Sequence, residues 1–333
     1  MKILHCKEFG PVENLVWENI DSPEPGDDEV LISVKAAALN FPDYLIVQGL
    51  YQFKPDFPFA PGNEGAGVIK KIGKNVTKFK EGDRVYFMSA YGAFAEEICM
   101  HELGTFAIEE DTSFEMAASY QMAYGTSYHA LMQRGELKKD DELLVLGASG
   151  GVGLAAVDIA VAKGARVVAG VSNEEKAQIC RDYGAADVVI YGEGPKDKDE
   201  SKALSLELKS KSLKGGFDVI YDPIGDCYTE PAFRSIGWKG RYLVVGFAAG
   251  QIPKLPINLS LLKGASLVGV FWGSFTGREP DLNTKNLNEI NQMLKDGEIK
   301  PLVSKTFPME RAVEAINLIG NRGVIGKVVL TNE

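Results

Sequence analysis

Apolar and polar positions alternate along residues 27–38 (DDEVLISVKAAA), the period of two expected of a strand with one buried face. GAGVIKKIG, GDRVYFM and AFAEEICM continue as short apolar runs broken by glycine, so the first third predicts antiparallel β structure. From Glu142 the texture changes. ELLVLG, ARVVAG, ADVVIY, FDVIYD and RYLVVG are near-continuous apolar runs separated by segments long enough to hold a crossover, the pattern of a parallel sheet covered on both faces. Residues 152–163 and 173–183 predict helices between them, the second opened by Ser172 or Asn173 with Glu174 and Glu175 in its first turn. Beyond Gly264, ASLVGVFW predicts one more strand, 283–295 and 310–319 predict helices, and VIGKVVL predicts a closing strand that rejoins the first domain. The expected organisation is α/β and discontinuous: a mostly-β domain from 1–123 and 264–333, and a doubly wound parallel-sheet domain from 124–263.

The length of 333 residues suits two domains, and 45% hydrophobic with 25% charged residues excludes collagen-like and largely disordered classes. Lys and Arg total 36 against 46 Asp and Glu, and the resulting charge of -10 repels phosphate backbones and anionic lipid. Neither a nucleic-acid nor a membrane partner is expected, although a local basic pocket is compatible with that field. No uncharged apolar run reaches the roughly 18 residues of a membrane helix, and MKILHCKEFG has no signal-peptide core, so the expected compartment is the cytosol. The charged stretch 193–214 reads as a solvated helix with flanking loop. Cys6, Cys99, Cys180 and Cys227 are dispersed, as are His5, His101 and His129, which predicts neither a disulfide framework nor a metal site.

The segment LLVLGASGGVG places Gly147, Gly150 and Gly153 where a strand ends and a helix begins. Glycines at this spacing permit a tight turn, close approach of a diphosphate to backbone N–H groups, and packing of helix on strand, with the anion at the helix's positive end. Turn punctuation alone is the plain alternative, but the repeated β and α pattern around the loop favours a dinucleotide. An NAD site usually ends its second strand in Asp or Glu to bond the ribose 2′-hydroxyl. Here Gly170, Val171 and Ser172 stand there and Lys176 follows, so a 2′-phosphate, and hence NADPH, is the better fit. The competing reading of Lys176 is a surface lysine.

ALNFPDYLIVQGLY, FPFAPGNEGAGVI, GDRVYFMSAYGAFAEE, AYGTSYHAL, LGASGGVGLAAVDIA and the closing GKVVL together resemble the zinc-free quinone oxidoreductases of the medium-chain dehydrogenase/reductase superfamily, relatives of zeta-crystallin. The resemblance spans nearly the whole chain and implies a GroES-like catalytic domain and a Rossmann coenzyme domain. It places Asn40 and the Asn63 of Gly-Asn-Glu where zinc alcohol dehydrogenases keep a Cys and a His ligand, and no four-cysteine lobe follows Gly92. It implies that Gly150, Gly151, Val152 and Gly153 hold the pyrophosphate and that Ser172, Lys176 and Tyr191 surround the 2′-phosphate. Asn40, Tyr51 and Thr126 would line the nicotinamide side as catalytic residues, and backbone at Gly246, Phe247, Ala248, Val270, Phe271 and Trp272 would bracket the ring and its ribose. Asn40 as a turn residue and Tyr51 as a rim aromatic stand as equal alternatives. His129 reads as a packing histidine, and the side chains of Phe271 and Trp272 are expected at a domain or subunit interface.

Without a Lewis acid the acceptor must be electrophilic by itself. Three functions follow: NADPH-dependent quinone reduction; reduction of the C=C bond of enones, enals, acrylates, 2-haloacrylates or enoyl-CoA esters; and a non-catalytic NADPH-binding or structural protein. ASLVGVFW as a β-rich edge at the end of the Rossmann sheet, together with the resemblance, implies a homodimer.

Overall fold

Residues 1–332 are described by the computed structural model. They divide into two compact units, one from Met1–Met122 with Pro301–Glu333, the other from Ala123–Lys300. The second crossing between units therefore lies past Lys300, not at Gly264 as expected. The reason is register. Ser266–Gly269 pairs in parallel with residues 241–244 of the strand Ile236–Val244, so ASLVGVFW supplies the last strand of the parallel sheet and stays with it. The helices Trp272–Arg278 and Pro280–Lys295 belong to the same unit.

In the first unit a seven-stranded sheet is built on Glu29–Ala38, whose alternating side chains enter the core. One edge of this strand pairs with Glu64–Ile72; the other pairs first with Glu97–His101 and then with the closing strand Lys327–Thr331, all antiparallel. Three strand ends meet as a result: Ala38 lies opposite both Glu64 and Val329. The core gathers Val30, Ile32, Val34, Phe87, Phe94, Val328 and Leu330 under the helix Ala312–Gly320.

The second unit holds a six-stranded, wholly parallel sheet in the order Asp187–Ile190, Arg166–Val171, Glu142–Leu146, Phe217–Asp222, Ile236–Val244, Ser266–Gly269. Numbered by occurrence within the sheet this is 3-2-1-4-5-6, the doubly wound dinucleotide-binding order, whose switch point lies beside the first strand. The helix Gly151–Ala162 follows that strand and Glu174–Asp182 the next, the latter capped by Asn173, whose Oδ1 accepts from the Lys176 N–H at 3.0 Å. The charged stretch forms Lys198–Ser210, a solvated helix that nevertheless buries Leu204 and Leu208 in the unit's core. Among the described residues no helix is long and apolar enough to cross a membrane.

Candidate functional site

The strand Glu142–Leu146 runs into Gly147 at φ +56°, a left-handed conformation that favours glycine; a Cβ there would also lie 2.7 Å from Ile224 Cγ2. A Cβ on Gly153 would meet the Gly147 carbonyl oxygen at 2.2 Å, so the helix sits against its own entry turn only because that position is bare. Gly150 differs. Its Cβ would meet nothing nearer than 3.5 Å, so packing does not demand glycine, and the missing side chain instead leaves open space at the helix entrance. The N–H groups of Gly151, Val152 and Gly153 lie in the helix's first turn, where no intrahelical acceptor exists and the dipole favours an anion. The turn thus fits the diphosphate of a dinucleotide.

Around this turn the strand ends carry the other expected contacts. Ser172 follows Arg166–Val171 and Lys176 lies in the first turn of the next helix, with no carboxylate among Gly170, Val171 and Ser172. Tyr191 follows Asp187–Ile190, and its hydroxyl accepts from the Gly147 N–H at 3.0 Å. Gly246, Phe247 and Ala248 form the loop after Ile236–Val244, where Ala248 N–H donates to Pro223 O at 3.1 Å. Asp222, which the sequence did not mark, organises this edge. Its buried carboxylate accepts from Ile224 N–H (2.9 Å), Gly225 N–H (2.8 Å), Thr229 hydroxyl (2.9 Å) and Tyr242 hydroxyl (2.6 Å). Burial raises the Asp222 carboxyl above its ordinary value, and the four donors oppose the rise.

Val270, Phe271 and Trp272 leave the last strand. Phe271 is exposed, but Trp272 corrects the expectation of an interface role: its indole N–H donates to Asn283 Oδ1 at 3.1 Å and its ring packs on Gly125, where a Cβ would be 2.5 Å away. Trp272 is therefore internal packing against Gly125 of the helix Gln121–Tyr128, on which Thr126 is half-buried. His129 stacks on Phe275 with ring centroids 3.9 Å apart, and burial lowers its pKa, as a packing histidine requires.

The first unit holds a second cluster at its three converging strand ends. Asn40 Nδ2 donates to Asn63 Oδ1 (2.9 Å) and Glu64 Oε1 (2.8 Å), while its Oδ1 accepts from Lys327 Nζ at 2.5 Å. The Lys327 ammonium also donates to Leu39 O (3.0 Å) and Glu64 Oε1 (2.8 Å), with Lys327 at 5% and Glu64 at 1% side-chain exposure. Glu64 Oε2 takes the Met122 N–H at 2.9 Å. Asp43 closes the cluster from the helix Phe41–Val47, its two oxygens accepting from Asn40 N–H (2.7 Å) and Gly62 N–H (3.2 Å). Burial pushes the Asp43 carboxyl up to about 7, against the lowering effect of the Asn40 N–H and the Lys327 charge. Tyr51 packs partly buried on this unit's core; burial first and the Asp43 charge second raise its pKa.

The cluster shows what holds Asn40. It is a turn residue that caps a helix, and its side-chain amide is committed to Asn63, Glu64 and Lys327, so it is part of a rigid polar frame. Lys327, Glu64 and Asp43, which hold this cluster together, were not marked from the sequence. Each is a lone charge beside apolar or glycine-rich sequence (IGKVVL, NEGAG, FPDY), and a charge in such a setting is a signal for a buried partner.

Residues 26–114 match the GroES-like domain of alcohol dehydrogenases, and residues 151–289 match the zinc-binding dehydrogenase family. A quinone oxidoreductase-like protein 2 homolog of Nematostella vectensis is 34% identical over 333 residues, covering 98% of this chain and 88% of its own. Among solved structures, a mycobacterial protein complexed with NADPH superposes with a TM-score of 0.90 at 27% identity, covering 100% of both chains. The quinone oxidoreductase of Escherichia coli complexed with NADPH gives 0.86 at 25% identity, again over 100% of both chains.

Proposed function

This chain belongs to the quinone oxidoreductase family of the medium-chain dehydrogenases/reductases, and on that premise we propose that it is an NADPH-dependent oxidoreductase that passes hydride to a quinone-type acceptor without a metal. The observation that carries the reading is the glycine turn, with open space over Gly150 and unpaired first-turn N–H groups at residues 151–153. NADPH, when bound, supplies hydride from its nicotinamide C4. The N–H groups of Gly151, Val152 and Gly153 hold the diphosphate, and Ser172 with Lys176 receives the 2′-phosphate where an NAD site would set a carboxylate. Solved relatives complexed with NADPH support the same cofactor.

The metal-free part rests on donor chemistry. Asn40 and Asn63 offer carboxamides in place of thiolate or imidazole, and the carboxylates beside them, Glu64 and Asp43, are already engaged by Asn40, Lys327 and backbone N–H groups. Lys327 already sets a cation against the oxygens of Asn40 and Glu64, so a metal there would face a like charge at hydrogen-bond range. The residues present do not fit zinc. A quinone needs no Lewis acid, because charge delivered with the hydride spreads to its distant oxygen. The same reading includes a homodimer joined along Ser266–Gly269. This strand ends its sheet, and Leu267 on it, Phe271 just beyond it, Trp238 on its partner strand and Leu261 and Leu262 on the helix Asn258–Lys263 are exposed large apolar side chains.

The test is steady-state oxidation of NADPH over a panel of quinones, enals, acrylates and enoyl-CoA esters. Quinones are expected to turn over fastest. Turnover confined to conjugated alkenes would replace the acceptor, and tight NADPH binding without turnover of any compound would make the chain a binding protein.

A further inference from the structure

We propose that Tyr191 is a positioning residue that locks the diphosphate-binding turn through Gly147, and that Gly170 is bare in order to admit its ring. The proposal rests on the cofactor reading above and, for Tyr191 alone, replaces the 2′-phosphate contact that the resemblance implies, leaving that contact to Ser172 and Lys176, because the Tyr191 hydroxyl is engaged by the Gly147 N–H.

The Tyr191 hydroxyl accepts the Gly147 N–H at 3.0 Å, and its own backbone N–H donates to Val171 O at 2.9 Å. One residue thus ties the glycine turn to the end of Arg166–Val171. The neighbouring Ala148 N–H makes the parallel link, donating to Gly170 O at 3.1 Å. Both leading N–H groups of the turn are in this way held by the protein, which leaves those of residues 151–153 to meet an anion. The Tyr191 ring lies over Gly170, where a Cβ would come within 2.9 Å of Tyr191 Cε1, and it is backed by Tyr228 at a centroid distance of 4.6 Å. Any side chain at Gly170 would push the ring aside and break the bond to Gly147. A residue that reads the 2′-phosphate acts on that group alone; a residue that shapes the turn acts on every diphosphate ligand.

Two fragments separate these roles. ADP carries the diphosphate without the 2′-phosphate, and 2′-AMP carries the 2′-phosphate without the diphosphate. Calorimetric titration of Tyr191→Phe is expected to show ADP bound roughly 2- to 12-fold more weakly, the range for one neutral hydrogen bond, with 2′-AMP binding unchanged. Gly170→Ala keeps the hydroxyl but displaces the ring, and is expected to show the same one-sided loss with an unaltered Ser172 and Lys176. Weaker 2′-AMP binding with ADP intact would overturn the proposal in favour of phosphate reading. Equal weakening of both fragments would overturn it in favour of general disruption. A wild type that bound neither fragment would remove the cofactor reading itself, a result distinct from either.

Discussion

Replacing Lys327 by methionine keeps most of the unbranched side chain and removes its charge from the frame that fixes Asn40. Three acceptors lose a donor at once: Leu39 O, Asn40 Oδ1 and Glu64 Oε1. With Lys327 and Glu64 at 5% and 1% side-chain exposure, water cannot take the place of the ammonium, and Glu64 is left as an uncompensated buried carboxylate. Breaking such a pair by removing one partner costs about 3 to 5 kcal/mol. Urea unfolding of Lys327→Met should therefore show a loss of that order. Glu64→Gln in the same background should return most of it, because the orphaned charge is gone, so the double-mutant cycle should give a large coupling. The amide of Asn40, released from its fixed orientation, should lower kcat more than it raises the KM for NADPH. A Lys327→Met protein within 1 kcal/mol of wild type, or additive effects in the cycle, would refute the assignment of Lys327 as the buried cation of this site.

Three further outcomes follow. Lys176→Ala should lose on the order of 10- to 100-fold in kcat/KM with NADPH, the range of a charge-assisted hydrogen bond, and little with NADH; an equal loss with both would return Lys176 to a structural role. Asp43 has its folded-state pKa raised to about 7, so its contribution to stability is full below its ordinary value of 3.8 and is lost as pH rises through about 7. Asp43→Asn should flatten the fall in melting temperature expected of the wild type between pH 4.5 and 7.5 (about 4 kcal/mol at most), and parallel curves for the two proteins would contradict this. Sedimentation at micromolar concentration should give a dimer, and Leu267→Glu should shift it towards monomer without altering NADPH binding; a monomeric wild type would remove the edge-strand pairing.

What the sequence made legible was local. The five apolar runs of the parallel sheet and the glycine turn are each contained in a few consecutive residues, and each kept its element type. Ser266–Gly269 shows the limit. Its apolar pattern predicts a strand at the edge of the parallel sheet, yet the expected boundary at Gly264 leaves it outside that unit; its register with residues 241–244 keeps it inside, and the boundary moves past Lys300. Trp272 shows the same limit for packing, because the bare position that receives its ring, Gly125, lies far away in the chain. Lys327 and Glu64 are 263 residues apart, and nothing near either names the other. Tyr191 was marked only through family resemblance; its bond to Gly147 passes the bare Gly170, where a Cβ would lie 2.9 Å from its ring, and the sequence presents that position only as the absence of an acid.

The central claim, hydride transfer from NADPH without a metal, is tested most directly by the ratio of kcat/KM for NADPH to that for NADH with one quinone, on protein dialysed against a chelator and assayed for zinc. The prediction is a ratio well above unity, unchanged by dialysis, on protein free of stoichiometric zinc. A preference for NADH, or activity that disappears with the chelator and returns with zinc, would contradict it.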